Sequence, residues 1–305
     1  MDLSIVVPCL NAQNLLASLL RNLQQIAESA AYAIPLPDNG SEDDTVSVAE
    51  RYLRKFKQLQ IFSYDFRDLS KARNVGISKA RGDFVTWIDA DDTVEISLLP
   101  ELIQMMHADE LDFLKCDGTL IFSDRREAWR PAPNTPSTIF KPRDVPAYLD
   151  YPLTGSGLYR RSFLNRISLF PEGVKAAEDR YFVWSAGLHA DRVRHVSKGF
   201  YNYDRRQQTA LTNSAGAYHF DAYTAYEMIW SDWHQQIAEC GLEHAFWNQY
   251  VSVLEASYFR RGRLSRLEKG RWLKAGKLKI PRMIWRKLWV SGSFRRKYFL
   301  LRLQN

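Results

Sequence analysis

Leu3, Ile5, Val6 and Val7 form an almost unbroken apolar run that Pro8 stops. That is the pattern of a strand buried on both faces. Leu15, Leu16, Leu19, Leu20, Leu23 and Ile26 then recur at helical spacing. The alternation continues with a weak strand near 32–37, a turn in PDNGSEDD and a helix over 44–56. A strand over 59–64, a helix at about 69–80 and a strand over 83–88 follow. A helix and then a strand, LDFLKCDGTLIF, are predicted over 96–125, whereas 126–146 is rich in Pro, Arg, Ser and Thr and reads as a long loop. Residues 151–210 hold another short α/β stretch, and from about 216 the pattern is helical and aromatic, then basic. Strands alternating with helices predict an α/β fold with a mostly parallel central sheet covered on both faces. Ligands of such sheets bind outside the carboxyl ends of the strands. Pro8, DNGS and DADD all fall at those ends, so they are expected to converge on one crevice.

The segment DFVTWIDADDTVE ends an apolar run with three carboxylates, Asp89, Asp91 and Asp92. Like charges this close repel, and burying an isolated carboxylate is costly. One reading is a solvated turn in which Asp92 caps a helix over 93–106. The other is a hard-cation site, because carboxylates at a strand end can aim oxygens at one Mg²⁺ or Mn²⁺.

Composition narrows the class. With 46% hydrophobic and 25% charged residues over 305 positions, the chain reads as globular. No run of about 18 uncharged apolar residues suggests a spanning helix. The opening MDLSIVVPCLNAQ is unlike a secretory signal, being short and acidic at its head. Cys9, Cys116 and Cys240 lie far apart without metal spacing, so a cytoplasmic, reducing compartment is expected.

Charge is uneven. From Arg260 onward there are 16 Lys/Arg and one acid, a net of +15, whereas 1–259 carry 26 Lys/Arg and 34 acids, a net of −8. The basic stretch is interleaved with Trp272, Trp285, Trp289, Tyr298 and Phe299. Cations with interfacial aromatics suit peripheral contact with the inner face of a membrane, and a helical subdomain is the alternative. Nucleic acid is the least favoured partner.

The motifs LSIVVPCLNAQNLLASLLRNL, PDNGSEDDT and LSKARNVGISKARGDFVTWIDADD together resemble the start of family 2 glycosyltransferases of the GT-A fold, in order and spacing. GSGLYRRSFL, FPEGVKAAEDRYFVWSAGL and GFYNYDRRQQTALT, within 155–212, continue the likeness. The resemblance implies a Rossmann-like catalytic domain over 1–215. Its halves, 1–100 and 101–215, would bind nucleotide-sugar and acceptor, and a helical basic region would follow over 216–305. It places Pro8 and Asn11 in the first nucleotide-contacting loop. Asp38, in a turn with Gly40 and Ser41, would read the pyrimidine base. Arg73 would lie near the diphosphate, Asp89 at the ribose beside Ala90, and Asp91 would bind a divalent metal, Mn²⁺ or Mg²⁺. In the pair Glu178-Asp179, Asp179 matches the general base. Arg205 and Arg206 are either a solvated pair or a phosphate clamp. The implied reaction is inverting transfer from a nucleotide-sugar, most simply a UDP-sugar, to a glycan or lipid-linked acceptor of the bacterial cell envelope. A nucleotidyltransferase and a non-catalytic nucleotide-sugar-binding module are the alternatives. The first would want a Gly-rich phosphate loop after the first strand, and PCLNAQNLL lacks one.

The chain departs from the family pattern in three places. Leu10 stands where an aromatic is usual, and SYDFRDLS replaces the usual Asn-x-Gly before ARN, with Asp65 near the Asn position. Pro35 and Pro37 interrupt the second strand and should bar full ladder bonding.

Overall fold

The computed structural model describes residues 1–151, 153–206, 220–255 and 270–271. The chain divides into two compact units. The first comprises Met1–Gly173 with Phe182–Gln207, and the second Val174–Tyr181 with the residues from Gln208 onward.

The first unit is built on one nine-stranded sheet. Its first half alternates β1 (Leu3–Val6), α1 (Leu16–Leu23), β2 (Tyr32–Asp38), α2 (Thr45–Glu50), β3 (Leu59–Ser63), α3 (Leu69–Lys79) and β4 (Phe84–Trp87). The order β3-β2-β1-β4 is parallel throughout, which requires crossover connections such as these helices. All of β1 and β4 is buried, as continuous apolar runs demand. In α1, Leu16, Leu19, Leu20 and Leu23 are all buried, each contributing about 1.5–3 kcal/mol of apolar burial. α2 is shorter than the spacing predicts, because RYLRKFK beyond Glu50 offers few apolar positions and folds as turns.

β2 is internal despite its prolines. The Pro35 and Pro37 carbonyls face β1 and accept from Val7 and Cys9 N–H at 3.0 Å each. The missing N–H groups point the same way, so the β1–β2 ladder holds only the pairs Leu3↔Tyr32 and Ser4↔Ala33. On its other edge β2 pairs with β3 over five residues.

The second half follows with β5 (Thr93–Val94), α4 (Leu99–Ala108), β6 (Phe113–Ile121), β7 (Arg126–Trp129), β8 (Gly157–Arg160), α5 (Arg161–Leu164), α6 (Glu178–His189) and β9 (Val193–Asp204). Here the sheet is mixed: β8 runs antiparallel to both β4 and β6, and β9 is parallel to β6. The expected parallel run therefore belongs to the first half. A helix beginning at 93 is replaced by the short strand β5, paired with β9, and a 3-10 turn over Ile96–Leu98. Asp92 does not cap it; the α4 cap position is Leu98, with no side-chain cap bond. The expected loop over 126–146 contains β7, an exposed edge strand recruited by β6, and a 3-10 turn at Pro142–Asp144, with a second following at Pro146–Asp150.

In the second unit, α7 (Asp221–Glu239) and α8 (Glu243–Glu255) pack through aromatic rings, with Tyr226 and Tyr250 stacked 4.8 Å apart. Among the described residues no helix is long and apolar enough to cross a membrane. The basic aromatic stretch 260–305 lies, apart from 270–271, outside the described residues.

Candidate functional site

Three loops meet at the carboxyl ends of β2, β1 and β4, which are neighbours in the sheet. The first two are stitched together by side chains. Asn11 N–H donates to Ser41 Oγ at 2.9 Å, and Glu42 N–H donates back to Asn11 Oδ1 at 2.9 Å. Ala12 N–H reaches Thr45 Oγ1 at 2.7 Å, and the bond from Asn39 N–H to the Cys9 carbonyl, at 2.8 Å, closes the base of the pair. Asn11 takes a left-handed backbone, φ 49°, which Asn tolerates better than most residues.

Asp38 ends β2 and is only 3% exposed. Its Oδ2 accepts from Ser41 N–H at 3.3 Å, while its Oδ1 is buried with no hydrogen-bond partner among the described residues. A buried carboxylate oxygen without a donor is costly, and an N–H that reached it would be favoured. Gly40 has φ +92°, and a Cβ there would come 2.8 Å from Asp65 Oδ1. Glycine is therefore required by both backbone and space. Leu10, 43% exposed, stands at the rim of the same loops.

Arg73 arrives from α3, whose cap Asp68 accepts from Lys71 N–H at 3.1 Å. Its guanidinium is buried, stacks on the Phe170 ring at 5.1 Å, and donates to both oxygens of Asp89 at 2.9 and 3.0 Å. The neighbouring Asn74 fixes Phe170 from both sides, donating to its carbonyl at 2.8 Å and accepting from its N–H at 3.1 Å.

The three acids after β4 have separate tasks. Asp89 pairs with Arg73. Asp92 is buried; it accepts from the Tyr201 hydroxyl at 2.7 Å and from Asp204 N–H at 2.8 Å. The same hydroxyl accepts from Asp89 N–H at 3.3 Å, so Tyr201 joins both ends of DADD. Burial, then the Asp91 and Asp89 charges, holds the Asp92 carboxyl well above the usual carboxylate range. Asp91 is left pointing at like charges. Burial, then Asp89 and more weakly Asp204, pushes its carboxyl up to about 6, against the pull of Arg73. A divalent cation would relieve that repulsion, and hard oxygen donors suit Mg²⁺ or Mn²⁺. No cluster of three or more His, Cys, Asp or Glu among the described residues could hold a metal by itself. The residues therefore fit a divalent ion to which Asp91 would supply one oxygen ligand, with the remaining ligands coming from outside the chain.

Arg206 is committed to Asp204, its Nε donating to both carboxylate oxygens at 2.9 and 3.1 Å, which holds Asp204 below the usual range. The two exposed arginines are thus not equivalent: Arg205 lies over the Tyr203 ring at 5.3 Å and has no carboxylate partner among the described residues.

Pro8, Asn11, Asp38, Gly40, Ser41, Arg73, Asp89, Ala90, Asp91, Arg205 and Arg206 all lie in the first unit. Glu178 and Asp179 form the first turn of α6 and belong to the second. There Asp179 Oδ1 accepts from Arg180 N–H at 2.8 Å. The segment is tied to α7: Lys175 N–H donates to Asp221 Oδ2 at 2.9 Å and the Tyr181 hydroxyl donates to Asp232 Oδ2 at 2.6 Å. The motifs do not reveal Tyr201, Asp204, Phe170 or Asn74. The alternation in YNYD was the available signal for Tyr201, since it puts two tyrosines on one strand face.

Residues 4–168 match the sequence profile described as Glycosyl transferase family 2. The chain is 29% identical over 217 residues to the uncharacterized glycosyltransferase EpsJ of Bacillus subtilis, covering 68% of this chain and 62% of that one. It is 25% identical over 270 residues to the poly(ribitol-phosphate) β-N-acetylglucosaminyltransferase TarS of Staphylococcus aureus, covering 85% of this chain and 44% of TarS. The chain thus spans less than two thirds of either relative. A crystal structure of S. aureus TarS 1–349 in complex with UDP-GlcNAc superposes with a TM-score of 0.78 at 22% identity, over 93% of this chain and 83% of that one. That likeness shows the GT-A fold.

Proposed function

The chain belongs to glycosyl transferase family 2, and from that premise we propose that it is an inverting, metal-dependent glycosyltransferase. It takes a sugar from a UDP-sugar and passes it to a hydroxyl of a bacterial cell-surface glycan. The observation that carries this reading is the gathering, at three adjacent strand ends, of a buried Asp38 with an open oxygen and an Asp91 raised to about 6 by its neighbours. One group asks for a base N–H and the other for a cation with its diphosphate. The TarS structure with UDP-GlcNAc and the name of TarS as a poly(ribitol-phosphate) β-N-acetylglucosaminyltransferase support the donor and acceptor classes.

Within this reading the chain's own residues divide the work. Asp38 takes the uracil N3–H, with Gly40 and Ser41 shaping the turn, and Pro8 and Asn11 line the base loop. Asp89, oriented by Arg73, takes a ribose hydroxyl. Asp91 would hold the divalent ion, which supplies charge stabilisation to the departing diphosphate. Asp179, with Glu178 beside it, removes the proton from the acceptor hydroxyl as that oxygen attacks the anomeric carbon from the face opposite the leaving UDP. Arg205 serves acceptor phosphate. The basic, tryptophan-bearing stretch 260–305 is read from its sequence as the contact with the cytoplasmic membrane surface, where lipid-linked acceptors reside.

UDP release from a panel of UDP-sugars by the purified full chain tests the proposal. Turnover should require Mn²⁺ or Mg²⁺ and stop with chelator. Absence of metal-dependent UDP-sugar binding would overturn it.

A further inference from the structure

The pairing of β6, β7 and β9 fixes which side chains share a face. Gly118 of β6 lies opposite Trp129 of β7 and Tyr201 of β9, and Leu120 lies opposite Glu127 and Tyr203. Alternation along strands therefore puts Trp129, Tyr201 and Tyr203 on one face. That face belongs to the site, since the Tyr201 hydroxyl joins Asp89 to Asp92. Extending the β5–β9 register one step past Thr93↔Asn202 sets Asp92 beside Tyr203. Trp129 then lies three strand spacings across and two residues along from Asp92, about 16 Å away.

Trp129 and Tyr203 lean towards each other across β6. Their ring centroids are 6.1 Å apart with planes 28° from parallel. Gly118 makes this possible: a Cβ there would come 3.4 Å from the indole and 3.0 Å from the Tyr201 carbonyl. Neither ring is fully buried. A cation borders the pair. The Arg205 guanidinium stands over Tyr203, whereas Arg126, paired with Ile121 one position past Leu120, is set on the opposite face. Arg206 is committed to Asp204. Arg205 is exposed and has no carboxylate partner among the described residues.

Part-exposed flat rings suit the C–H face of a sugar, and an exposed guanidinium without a carboxylate partner suits phosphate. We propose that Trp129 and Tyr203, flanked by Arg205, form an acceptor platform that holds a sugar-phosphate chain. The platform would seat units of that chain removed from the hydroxyl being glycosylated. This rests on the transferase reading and names the acceptor chemistry of the same site.

Calorimetric titration of the full chain with a short hexose oligomer joined by phosphodiesters, and with its neutral counterpart of equal length, tests it. The phosphodiester oligomer should bind, and the neutral one should bind about tenfold more weakly or worse. Trp129→Ala and Arg205→Gln should each weaken binding about tenfold, and Trp129→Phe should retain most of it. Both Trp129 variants should bind UDP as the parent does, which a merely misfolded protein would not. Parent-like oligomer affinity in folded Trp129→Ala and Arg205→Gln would overturn the platform, as would a parent that binds UDP but neither oligomer. If UDP-sugar binding failed while oligomer binding still fell on Trp129→Ala, the platform would stand and the transferase reading would fall.

Discussion

One guanidinium nitrogen of Arg73 donates to both carboxylate oxygens of Asp89. The pair ties α3 to the end of β4, and the Phe170 ring packs against the guanidinium. It also places one positive charge against three acids that would otherwise repel only one another. Donor binding and local stability should therefore be linked through this contact.

Arg73→Ala should cost about 1.5–3 kcal/mol, the scale of a hydrogen bond to a charged group, because it leaves Asp89 unneutralised. Asp89→Asn in the same chain should recover part of that loss, since no charge then remains to be paired. Arg73→Lys should behave closer to alanine than to the parent, because an ammonium cannot both span the carboxylate and stack on Phe170. Urea denaturation of the four proteins of this cycle measures the coupling. Strict additivity would remove the pair from the account.

Asp91 makes a prediction about pH. Its carboxyl, ordinarily at 3.8, stands at about 6 in the folded protein. Between those values the folded state holds the proton more tightly than the unfolded one, so stability falls as pH rises through the window. Above it the ionised acid is a standing penalty. In chelator at pH about 7.5, Asp91→Asn should therefore be more stable than the parent by about 1–3 kcal/mol, and the gain should fade below pH about 4. Added Mn²⁺ with UDP should stabilise the parent more than the variant. Equal melting temperatures for both proteins across that range would refute the strain at Asp91.

The parts that were legible in the sequence are those written in local patterns. The continuous run of β1, the leucine spacing of α1 and the apolar–acidic junction after β4 each lie within a few residues. What stayed hidden depends on distant pairing. The Tyr201 partner of Asp92 is 109 residues away, so the acid looked like a helix cap. β7 has no alternation of its own and becomes a strand only because β6 offers it an edge. The prolines of β2 look like strand breakers, but their carbonyls still serve β1 and their other edge is intact. The matched motifs fall in loops at the carboxyl ends of β1, β2 and β4; the separate contacts of three adjacent acids came from geometry alone.

Asp179 is expected to act on rate rather than on donor affinity. Asp179→Asn should leave UDP binding within about twofold and lower turnover by roughly 10²-fold or more, the scale of general-base catalysis. Glu178→Gln should be milder. Single-turnover transfer measured beside UDP titration separates the two quantities. Near-parental turnover in Asp179→Asn, with loss in Glu178→Gln, would assign the base to the wrong carboxylate.

The open oxygen of Asp38 gives the sharpest test of the nucleotide site. Oδ1 is buried and accepts no hydrogen bond among the described residues, an unfavourable arrangement that a donor would relieve. A uracil N3–H would satisfy it, whereas cytosine presents an acceptor at N3 and would face the carboxylate lone pair to lone pair. UDP should therefore bind more tightly than CDP in the parent by about tenfold or more, the worth of one charge-assisted hydrogen bond. Asp38→Ala should lower UDP affinity about 10- to 100-fold and leave CDP affinity nearly unchanged, so that the preference collapses from one side. It should not cost the fold much, because the loss of the long Oδ2 bond to Ser41 N–H is offset by removal of the buried Oδ1 that lacked a partner. Asp38→Asn is the useful companion: turned so that its carbonyl occupies the Oδ1 position it still accepts from N3–H, and turned the other way its amide can donate to cytosine. It should narrow the preference without abolishing UDP binding. Titration calorimetry with UDP and CDP on the three proteins reads all of this. A parent that binds the two nucleotides equally, or an Asp38→Ala variant that keeps the parental preference, would take the base away from Asp38.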